Sequence, residues 1–477
     1  MRSGLDGDRT VSTEKHLTVS ALIEQARQAQ QSIENYSQRH IDRLVDAVAW
    51  AIIHPENNRA LAIQAVQDTG LGNIEDKVAK NYRKTLGLLR DLQGKRTVGV
   101  INEIPEKGII EIARPVGVIA AVTPSTNPIA TVINNIINAI KCRNAIIIAP
   151  SPAAAKVCAR MLAYIHHELD FVQAPRTLVQ MLPIPVSRAQ TQALLQQADL
   201  IIATGSQKNI ALAAQSGTPA FGVGAGNVAS ILSETADIEA AAALIAASKT
   251  FDNATSCSAE NSLMVSTARY QQTLDALTHQ GGVLLTSAEK GQLQQVLWSE
   301  GTLSRQSIAR TADELAKLAG LTRPECQQAR FFMVEEEGIG PQFPFSGEKL
   351  APVLTLYRVN DFHHACERVK AIYHWQGAGH SVGLHTQDEQ EALYAGLSLP
   401  ASRIIVNQGH VFATGGNFNN GLPFTLTLGC GTWGKNHFSD NLNYRHFFNL
   451  VRIASPIPEH IPSLDDILGD YLQRRYR

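Results

Sequence analysis

Near its start, the chain carries apolar residues at three- and four-residue spacing. The spacing holds in "LTVSALIEQARQAQQSI" and returns in "RLVDAVAWAII". Residues spaced in this way fall on one face of an α-helix, so the segment predicts amphipathic helices with one buried side. We therefore expect helices from Leu17 to about Leu92.

From Val116 the pattern changes to short apolar runs that alternate with helical segments. The runs are "VGVIAAV", "NAIIIAP" and "ADLIIAT", and a helical segment follows each of them. Three successive strand, loop and helix units are typical of a parallel, doubly wound sheet. Ligands of such sheets bind beyond the carboxyl ends of the strands, which places the loops "TPSTNP", "PSP" and "TGSQ" at a candidate binding site.

A second alternating series begins after Cys257. Its strand candidates are "SLMV", "GVLLT", "PVLTLY", "HSVGLHT" and "RIIVN". The predicted fold class is therefore α/β, with two doubly wound α/β domains.

Composition and charge exclude several classes of protein. Of the 477 residues, 44% are hydrophobic and 18% are charged, which is typical of a soluble chain with more than one domain. Lys and Arg number 42 against 43 Asp and Glu, so no net field favours nucleic acid or an anionic membrane as a partner. Six scattered cysteines without a CxxC pair indicate a reducing compartment. With no signal-peptide pattern and no bilayer-length apolar run, we expect a cytoplasmic protein.

One cysteine stands out by its neighbours. In "FDNATSCSAENS", which runs from Phe251 to Ser262, Cys257 lies among small polar residues rather than among Leu, Ile and Val. A buried structural cysteine is one interpretation, because free Cys is among the most buried residue types. The other is a nucleophile, which must be open to substrate and close to groups that stabilise the charge it generates.

A glycine-rich stretch precedes this cysteine. "FGVGAGN", from Phe221 to Asn227, does not match the GxGxxG spacing of dinucleotide-binding loops, and a plain turn between two strands explains it equally well. The order of the motifs is more informative. An Asn-bearing loop, Gly205 with Ser206, the glycine stretch, Cys257, "EKLAPV" and "SRIIVN" follow one another as in the aldehyde dehydrogenase superfamily, which the chain resembles over nearly its whole length.

Three segments sharpen that resemblance. "TPSTNP", "FDNATSC" and "LTLGCGTWGKN" are similar to the CoA-acylating branch of the superfamily, which includes the aldehyde dehydrogenase half of bifunctional alcohol-forming enzymes. The resemblance implies an aldehyde dehydrogenase-like fold with an oligomerisation strand arm, and the oxidation of an aldehyde to an acyl-CoA with NAD or NADP and coenzyme A. The likeness is greatest to acylating dehydrogenases of sulfoacetaldehyde and of succinate semialdehyde. Sulfoacetaldehyde is the favoured substrate, with succinate semialdehyde or acetaldehyde as alternatives.

The resemblance also implies roles for individual residues. Cys257 would attack the aldehyde, and the side-chain amide of Asn127 with the backbone N–H of Cys257 would bind the oxyanion. Asn127 before Pro128 is otherwise a plain turn residue, and Glu348 is otherwise a surface charge. The residues implied to bind the nicotinamide cofactor are Thr123, Pro124, Ser125, Ser151, Gly205, Ser206, Gly224, Glu348 and Pro352.

One absence bears on the product. Hydrolytic aldehyde dehydrogenases carry a Glu at the start of the motif "ELGGK", where it activates water. In this chain "FGVGAGN" takes that place, with no carboxylate between Ala220 and Asn227. Without this base, water is a poor second nucleophile, whereas the thiol of coenzyme A needs little help. We therefore expect an acyl-CoA product.

Two other classes remain open. The chain is alternatively a catalytically inactive scaffold of the same fold, or a thiol hydrolase in which Cys257 pairs with His410, His437 or His446. A metal site is not expected, since "FHHACE" and the pair at 166–167 lack a set of further ligands.

The remaining predictions concern organisation. We expect a nicotinamide cofactor-binding domain over residues 1–230 with bridging strands near 98–114, a catalytic domain over 231–440, and an oligomerisation strand with a tail helix over 441–477. The resemblance implies a homodimer or homotetramer in which the strand "RHFFNLVRIA" extends a neighbour's sheet. The tail helix begins with Ser463 as N-cap and carries an apolar stripe. Its cover is either the enzyme itself, with its oligomer partner, or a different protein such as a partner enzyme or compartment shell.

Overall fold

The computed structural model describes residues 18–205, 207–224 and 226–475. Its first part is helical, as the apolar spacing predicts. The four helices are α1 (Val19–Ser32), α2 (Gln38–Ile53), α3 (Pro55–Thr69) and α4 (Ile74–Leu92). Side-chain caps begin α1, α2 and α4, where Thr18, Ser37 and Asn73 accept backbone N–H groups of the first turn. Leu17 lies outside the described residues.

Two antiparallel strands and the first set of alternating elements follow. In chain order these are β1 (Gly99–Ile104), β2 (Ile109–Pro115), β3 (Val118–Thr123), α5 (Ala130–Lys141), β4 (Ala145–Pro150), α6 (Ala155–Phe171), β5 (Val179–Met181), α7 (Arg188–Gln197), β6 (Leu200–Ala203), α8 (Gln207–Gln215) and β7 (Ala220–Gly222). The strands β5-β4-β3-β6-β7 form a five-stranded parallel sheet. Every residue of β3, β4 and β6 is buried, which explains their continuous apolar runs.

The second alternating set is longer. It comprises β8 (Val228–Leu232), α9 (Ile238–Thr250), β9 (Glu260–Ser266), α10 (Tyr270–His279), β10 (Gly282–Leu284), α11 (Ser287–Leu297), β11 (Trp298–Ser299), β12 (Thr302–Leu303), α12 (Ala312–Ala319), α13 (Pro324–Gln327), β13 (Phe331–Glu335), β14 (Val353–Val359), α14 (Phe362–Trp375), β15 (Val382–His385), α15 (Glu389–Ser398), β16 (Ile404–Val406) and α16 (His410–Ala413). A seven-stranded parallel sheet has the order β10-β13-β14-β9-β8-β15-β16, and β11 with β12 forms a short hairpin. The two parallel sheets confirm the predicted α/β class.

The C-terminal part consists of β17 (Phe448–Ala454) and α17 (Leu464–Arg475). β17 pairs with β2 in an antiparallel sheet of order β1-β2-β17, and within the described ranges no strand pairs with its other edge. Ser463 caps α17, since its hydroxyl accepts the N–H of Asp466 at 3.1 Å.

None of the helices in the described part of the chain is both long and apolar enough to cross a membrane.

Chain segments cross between the two sheets. β8 begins at Val228, three residues before the predicted domain boundary, and belongs to the seven-stranded sheet. From the other direction, Phe424 and Phe438 pack into the core of the five-stranded sheet. The division at residues 230 and 440 stays a prediction.

Candidate active site

Cys257 follows a turn in the left-handed region of backbone conformation. Asp252, Asn253 and Ala254 have φ values of 50°, 53° and 56°, although none of them is glycine. Such a conformation costs about 1 kcal/mol or more per residue and persists only where surrounding contacts impose it. Asp and Asn tolerate this region better than other side chains, which gives the sequence "FDNATSC" a structural reason. The turn fixes the position of Cys257 before β9.

Contacts with α4 impose this conformation. The carboxylate of Asp252 accepts hydrogen bonds from Lys77 Nζ at 3.1 Å, Lys80 Nζ at 2.5 Å and Thr255 Oγ1 at 2.8 Å. Its backbone N–H donates to Asp76 Oδ2 at 2.7 Å. Burial acts to raise the pKa of Asp252, but Lys80 and Lys77 overcome it and hold that pKa below its usual value. The turn before Cys257 is thus held in place by buried ion pairs between Asp252 and α4.

Cys257 is half-buried, while the other five cysteines are buried. Its Sγ lies 3.6 Å from His380 Nε2. Burial, with a smaller contribution from Glu348, raises the pKa of Cys257 to about 12. Burial and the neighbouring Arg403 lower the pKa of His380 to about 3. At neutral pH this is therefore a thiol next to a neutral imidazole, not a thiolate–imidazolium pair.

His380 belongs to a chain of hydrogen bonds. Its Nδ1 lies 2.7 Å from Ser381 Oγ, which lies 2.8 Å from His410 Nε2. For Nε2 to accept the thiol proton, the ring must carry its hydrogen on Nδ1, which then donates to Ser381 Oγ. The buried Nδ1 of His410 has no partner among the described residues. The chain can therefore orient His380 and pass on a proton.

The histidines named for the hydrolase alternative do not pair directly with Cys257. His410 reaches Cys257 only through Ser381 and His380. The rings of His437 and His446 lie against the ring of Phe221, with 4.9 and 5.1 Å between centroids. Sequence reasoning missed His380, which begins the strand candidate "HSVGLHT" and which no local motif marks. Across the described ranges, no group of three His, Cys, Asp or Glu residues is arranged to hold a metal ion.

Asn127 and Cys257 line one cavity, which we call the Cys257 cavity. Its wall also includes Lys80, Arg83 and Lys84 of α4. Lys80 Nζ donates to Asn127 Oδ1 at 2.7 Å. An ammonium group has no lone pair to offer, so this bond fixes the amide with its oxygen toward Lys80 and leaves its NH₂ as a donor. Asn127 is therefore a positioned hydrogen-bond donor rather than a plain turn residue.

The loops predicted to bind the cofactor lie together at the carboxyl ends of the strands of the five-stranded sheet. Thr123 ends β3, Ser151 follows β4, and Gly205 follows β6, the three central strands. The hydroxyls of Thr123 and Ser151 are buried without a hydrogen-bond partner among the described residues. Gly205 has φ 143°, which favours glycine, and a Cβ there would lie 3.7 Å from Pro124. Ser125 follows in the same loop.

Close backbone approach explains the glycines of "FGVGAGN". A Cβ on Gly224 would lie 2.8 Å from Cys430 Sγ. A Cβ on Gly226 would lie 2.6 Å from Cys257 Cβ and 2.9 Å from Glu348 Oε1. These separations leave no room for a side chain. The segment therefore passes between Cys257 and Glu348 instead of forming a plain turn.

Glu348 brings a carboxyl group toward Cys257 from outside the glycine segment. Burial raises its pKa to about 8, against the opposing effects of Lys249 and Lys349. The carboxyl of the half-buried Glu348 lies beside Gly226 at Cys257, so Glu348 is not a plain solvated surface charge.

Of the remaining predicted cofactor residues, Ser206 lies outside the described residues, and Pro352 lies beside a different sheet. Pro352 precedes β14, where its carbonyl oxygen accepts the N–H of Phe332 at 2.9 Å. That bond extends the seven-stranded sheet, and the walls of the Cys257 cavity are made by other residues.

Comparisons with known proteins agree with this architecture. The model of the aldehyde dehydrogenase family matches residues 9–288. The chain is 57% identical, over 96% of its length and 92% of the relative's, to an acylating sulfoacetaldehyde dehydrogenase of Cupriavidus necator. It is 37% identical, over 95% of its length and 99% of the relative's, to an acetylating succinate-semialdehyde dehydrogenase of Clostridium kluyveri.

A solved structure gives the same result for the fold. The crystal structure of an acetylating aldehyde dehydrogenase from Geobacillus thermoglucosidasius matches with a TM-score of 0.89 and 36% identity, covering 93% of this chain and 98% of that one. The predicted aldehyde dehydrogenase-like fold is confirmed. From the family match, the high identity and the shared fold, it follows that the chain belongs to the acylating aldehyde dehydrogenases.

Proposed function

We propose that the protein oxidises sulfoacetaldehyde, with NAD⁺ or NADP⁺ and coenzyme A, to sulfoacetyl-CoA. The observation that carries the proposal is the meeting of Cys257 and the oriented Asn127 amide in one cavity. High identity to an enzyme named for this substrate supports the choice of aldehyde. The retention of nucleophile, imidazole and amide in one place argues against an inactive scaffold.

Cys257 is the nucleophile of this proposal. As Sγ bonds to the aldehyde carbon, the thiol proton moves to His380 Nε2, 3.6 Å away. The low pKa of His380 keeps the ring neutral but makes it a weak base, so the proton leaves Sγ only as the C–S bond forms and the S–H group becomes more acidic. The hemithioacetal oxygen takes the carbonyl electrons and becomes an oxyanion.

Asn127 stabilises that oxyanion. Its NH₂ group is available because Lys80 holds the amide oxygen. A donor fixed before the reaction costs no reorganisation when charge develops, which makes such groups effective. The backbone N–H of Cys257 is the second proposed donor.

The cofactor site fits the loops at the edge of the five-stranded sheet. The unpartnered hydroxyls of Thr123 and Ser151 and the bare backbone of Gly205 suit a polar ligand that approaches the main chain closely. Pro124, Ser125, Ser206, Gly224, Glu348 and Pro352 complete the proposed set. When bound, the nicotinamide supplies the two-electron acceptor that turns the hemithioacetal into a thioester on Cys257.

The site favours coenzyme A over water in the last step. The glycine segment beside Cys257 carries no carboxylate between Ala220 and Asn227, so it offers no base at the place where hydrolytic aldehyde dehydrogenases activate water. The thiol of coenzyme A therefore takes the acyl group and releases Cys257.

The test is an assay of the purified protein with and without coenzyme A. With sulfoacetaldehyde, both nicotinamides and coenzyme A, we expect sustained NADH or NADPH formation and sulfoacetyl-CoA by mass spectrometry. Without coenzyme A, we expect at most one reduced cofactor per subunit. Continuous carboxylate release without coenzyme A would reject the acylating reaction, and a higher kcat/KM for succinate semialdehyde or acetaldehyde would replace the substrate.

The C-terminal sheet supports an assembly of identical subunits. β17 leaves one edge unpaired within the described ranges, and Leu450, Val451 and Ile453 on it are exposed. An exposed apolar edge strand is a template for pairing with another chain, so we propose a homodimer or homotetramer. A cytoplasmic location is part of the same proposal.

The described part of the subunit leaves the apolar stripe of the tail helix uncovered. Leu464, Ile467, Leu468 and Tyr471 are all exposed, and no residue of α17 is buried. Among the described residues, the body of the subunit therefore does not cover the stripe. The oligomer partner and a different protein remain the two proposed covers.

A further inference from the structure

Cations cluster on one face of α4. Lys77, Lys80 and Lys84 recur at three- and four-residue spacing, with Arg83 beside them. Lys80, Arg83 and Lys84 line the Cys257 cavity. A helix face turned toward a buried site normally carries apolar residues, so these charges call for an explanation.

Lys80 already has its counterion. It shares the carboxylate of Asp252 with Lys77, and it also holds Asn127. Lys80 therefore has a carboxylate partner within the protein, although it shares that carboxylate with Lys77, and its role lies in positioning.

Lys84 has no carboxylate partner of this kind among the described residues. Its Nζ donates to the carbonyl oxygens of Gly415 at 2.8 Å and Gly416 at 3.2 Å, which leaves one of the three ammonium hydrogens. Burial, followed by repulsion from Arg83 and Lys80, lowers the pKa of Lys84 to about 7, while Asp91 acts in the opposite direction. The ammonium is thus held in place, partly desolvated and short of negative charge.

Arg83 likewise has no ion-pair partner in the described ranges. Its guanidinium donates to Asn417 Oδ1 and stacks on the ring of Phe412, with 5.4 Å between Cζ and the ring centroid. Within residues 18–205, 207–224 and 226–475, neither Arg83 nor Lys84 has a carboxylate oxygen within 4.0 Å. Most of the five N–H groups of Arg83 remain available.

Arg83 also stands between two cavities. It borders both the Cys257 cavity and a neighbouring one, the outer cavity, which is also lined by Phe412, Asn407 and Asn419. The guanidinium therefore lies where the two cavities share a lining residue. The arrangement fits a substrate whose charged end lies beside Arg83 while its other end reaches Cys257.

A buried cation without a counterion is costly, and an anionic ligand removes that cost. We propose that Arg83 and Lys84 form the subsite for the sulfonate of the aldehyde, an inference that rests on the proposed function. Only one methylene separates the sulfonate from the reacting carbon of sulfoacetaldehyde, so its anchor must lie in the cavity of Cys257, as these two residues do. Three sulfonate oxygens suit the planar fork of Arg83 together with a point charge from Lys84.

The loop "ATGGNFNNG", residues 413–421, contributes hydrogen-bond acceptors to this cluster rather than the donors that its composition suggests. Its many amides indicate donors for an anion, but the contacts of Gly415, Gly416 and Asn417 with α4 use their oxygens as acceptors. The loop holds the two cations, and the cations supply the donors.

The first experiment compares charged and uncharged aldehydes. Arg83→Gln and Lys84→Gln each remove a charge but keep an N–H donor for the loop. We expect each to lower kcat/KM for sulfoacetaldehyde by about thirtyfold or more, and that for propionaldehyde by less than about threefold. Arg90→Gln is the matched control: Arg90 is on α4, is exposed, and stacks on the same Phe424 ring as Lys84. It should leave both substrates unchanged.

The second experiment does not depend on turnover of the sulfonate. Ethanesulfonate lacks a carbonyl group and should compete with propionaldehyde in the wild-type enzyme, with an inhibition constant about tenfold or more higher in either variant. Such competition supports the anion subsite even if sulfoacetaldehyde is not oxidised, in which case only the proposed substrate fails. If sulfoacetaldehyde is oxidised and neither variant discriminates between the two aldehydes, the proposed function stands and the subsite is overturned.

Discussion

The two walls of the Cys257 cavity are built in opposite ways. On one side, Cys257 and its contact His380, which does not itself line the cavity, are both neutral, because burial raises the pKa of the thiol to about 12 and lowers that of the imidazole to about 3. On the side of α4, Lys80, Arg83 and Lys84 bring positive charge to the same space. The proposed chemistry takes place at neutral groups, and the proposed recognition of the substrate at charged ones.

This difference separates two tasks that would otherwise interfere. A cation in contact with Cys257 would stabilise the thiolate permanently and attract anions to the sulfur. Instead, Lys80, the cation that also contacts Asn127, has Asp252 as its ion-pair partner, while Arg83 and Lys84 lack such a partner in the described ranges. Changes at the groups that carry out the chemistry should therefore lower kcat, whereas loss of charge at Arg83 or Lys84 should raise KM for the anionic aldehyde.

The largest effect is expected on the neutral wall. Cys257→Ala should reduce acyl-CoA formation by about 10⁴-fold or more, because no other group can carry the acyl intermediate. Cofactor affinity, measured by fluorescence titration, should stay within about threefold. Substantial turnover by this variant would remove Cys257 from the mechanism.

His380→Ala should come next, with kcat lowered by about 10²- to 10⁴-fold, because the thiol then loses its proton acceptor. The pre-steady-state burst of reduced cofactor is the direct measurement. His437→Ala is the control, since its ring stacks on Phe221. Equal losses in the two variants would show that His380 has only a structural role.

Asn127→Ala should lower kcat by about 10²-fold or more, as the loss of one oxyanion donor does elsewhere. KM for the aldehyde should change little, since the amide acts on charge that develops in the transition state. A rise in KM at constant kcat would contradict this role.

The smallest effect tests the charged wall by pH. Because the pKa of Lys84 is lowered to about 7, its charge is present below that pH and is lost above it. KM for sulfoacetaldehyde should therefore rise by up to about tenfold per pH unit above 7, while KM for propionaldehyde lacks this component. Lys84→Gln should abolish the difference, whereas titration of Glu348 affects both aldehydes alike. A wild-type pH profile that is the same for both aldehydes would count against Lys84.

The sequence predicts most of the fold because its signals are local. Buried strands such as "NAIIIAP" appear as continuous apolar runs, and helices as three- and four-residue spacing. The cluster of Cys257 with Asn127 followed from the resemblance to a family. The contacts that hold these residues could not be predicted, because their partners are distant in the sequence. Lys80 contacts Asp252, 172 positions away, and His380 contacts Cys257, 123 positions away.

One signal for the charged wall was present in the sequence. Lys77, Lys80 and Lys84 form a cationic stripe at helical spacing in a segment that otherwise predicts an amphipathic helix. A stripe of this kind usually indicates a solvated face. Only the three-dimensional structure shows that Lys77 and Lys80 are buried and that Arg83 and Lys84 border a cavity.

The high pKa of Cys257 has a consequence for the resting enzyme. Because burial raises this pKa to about 12, only a very small fraction of the sulfur is thiolate at pH 7. Peroxides and alkylating agents react with the thiolate, so the empty enzyme should resist both far better than an exposed cysteine of ordinary acidity. The nucleophile is thereby protected during the intervals in which no aldehyde is bound.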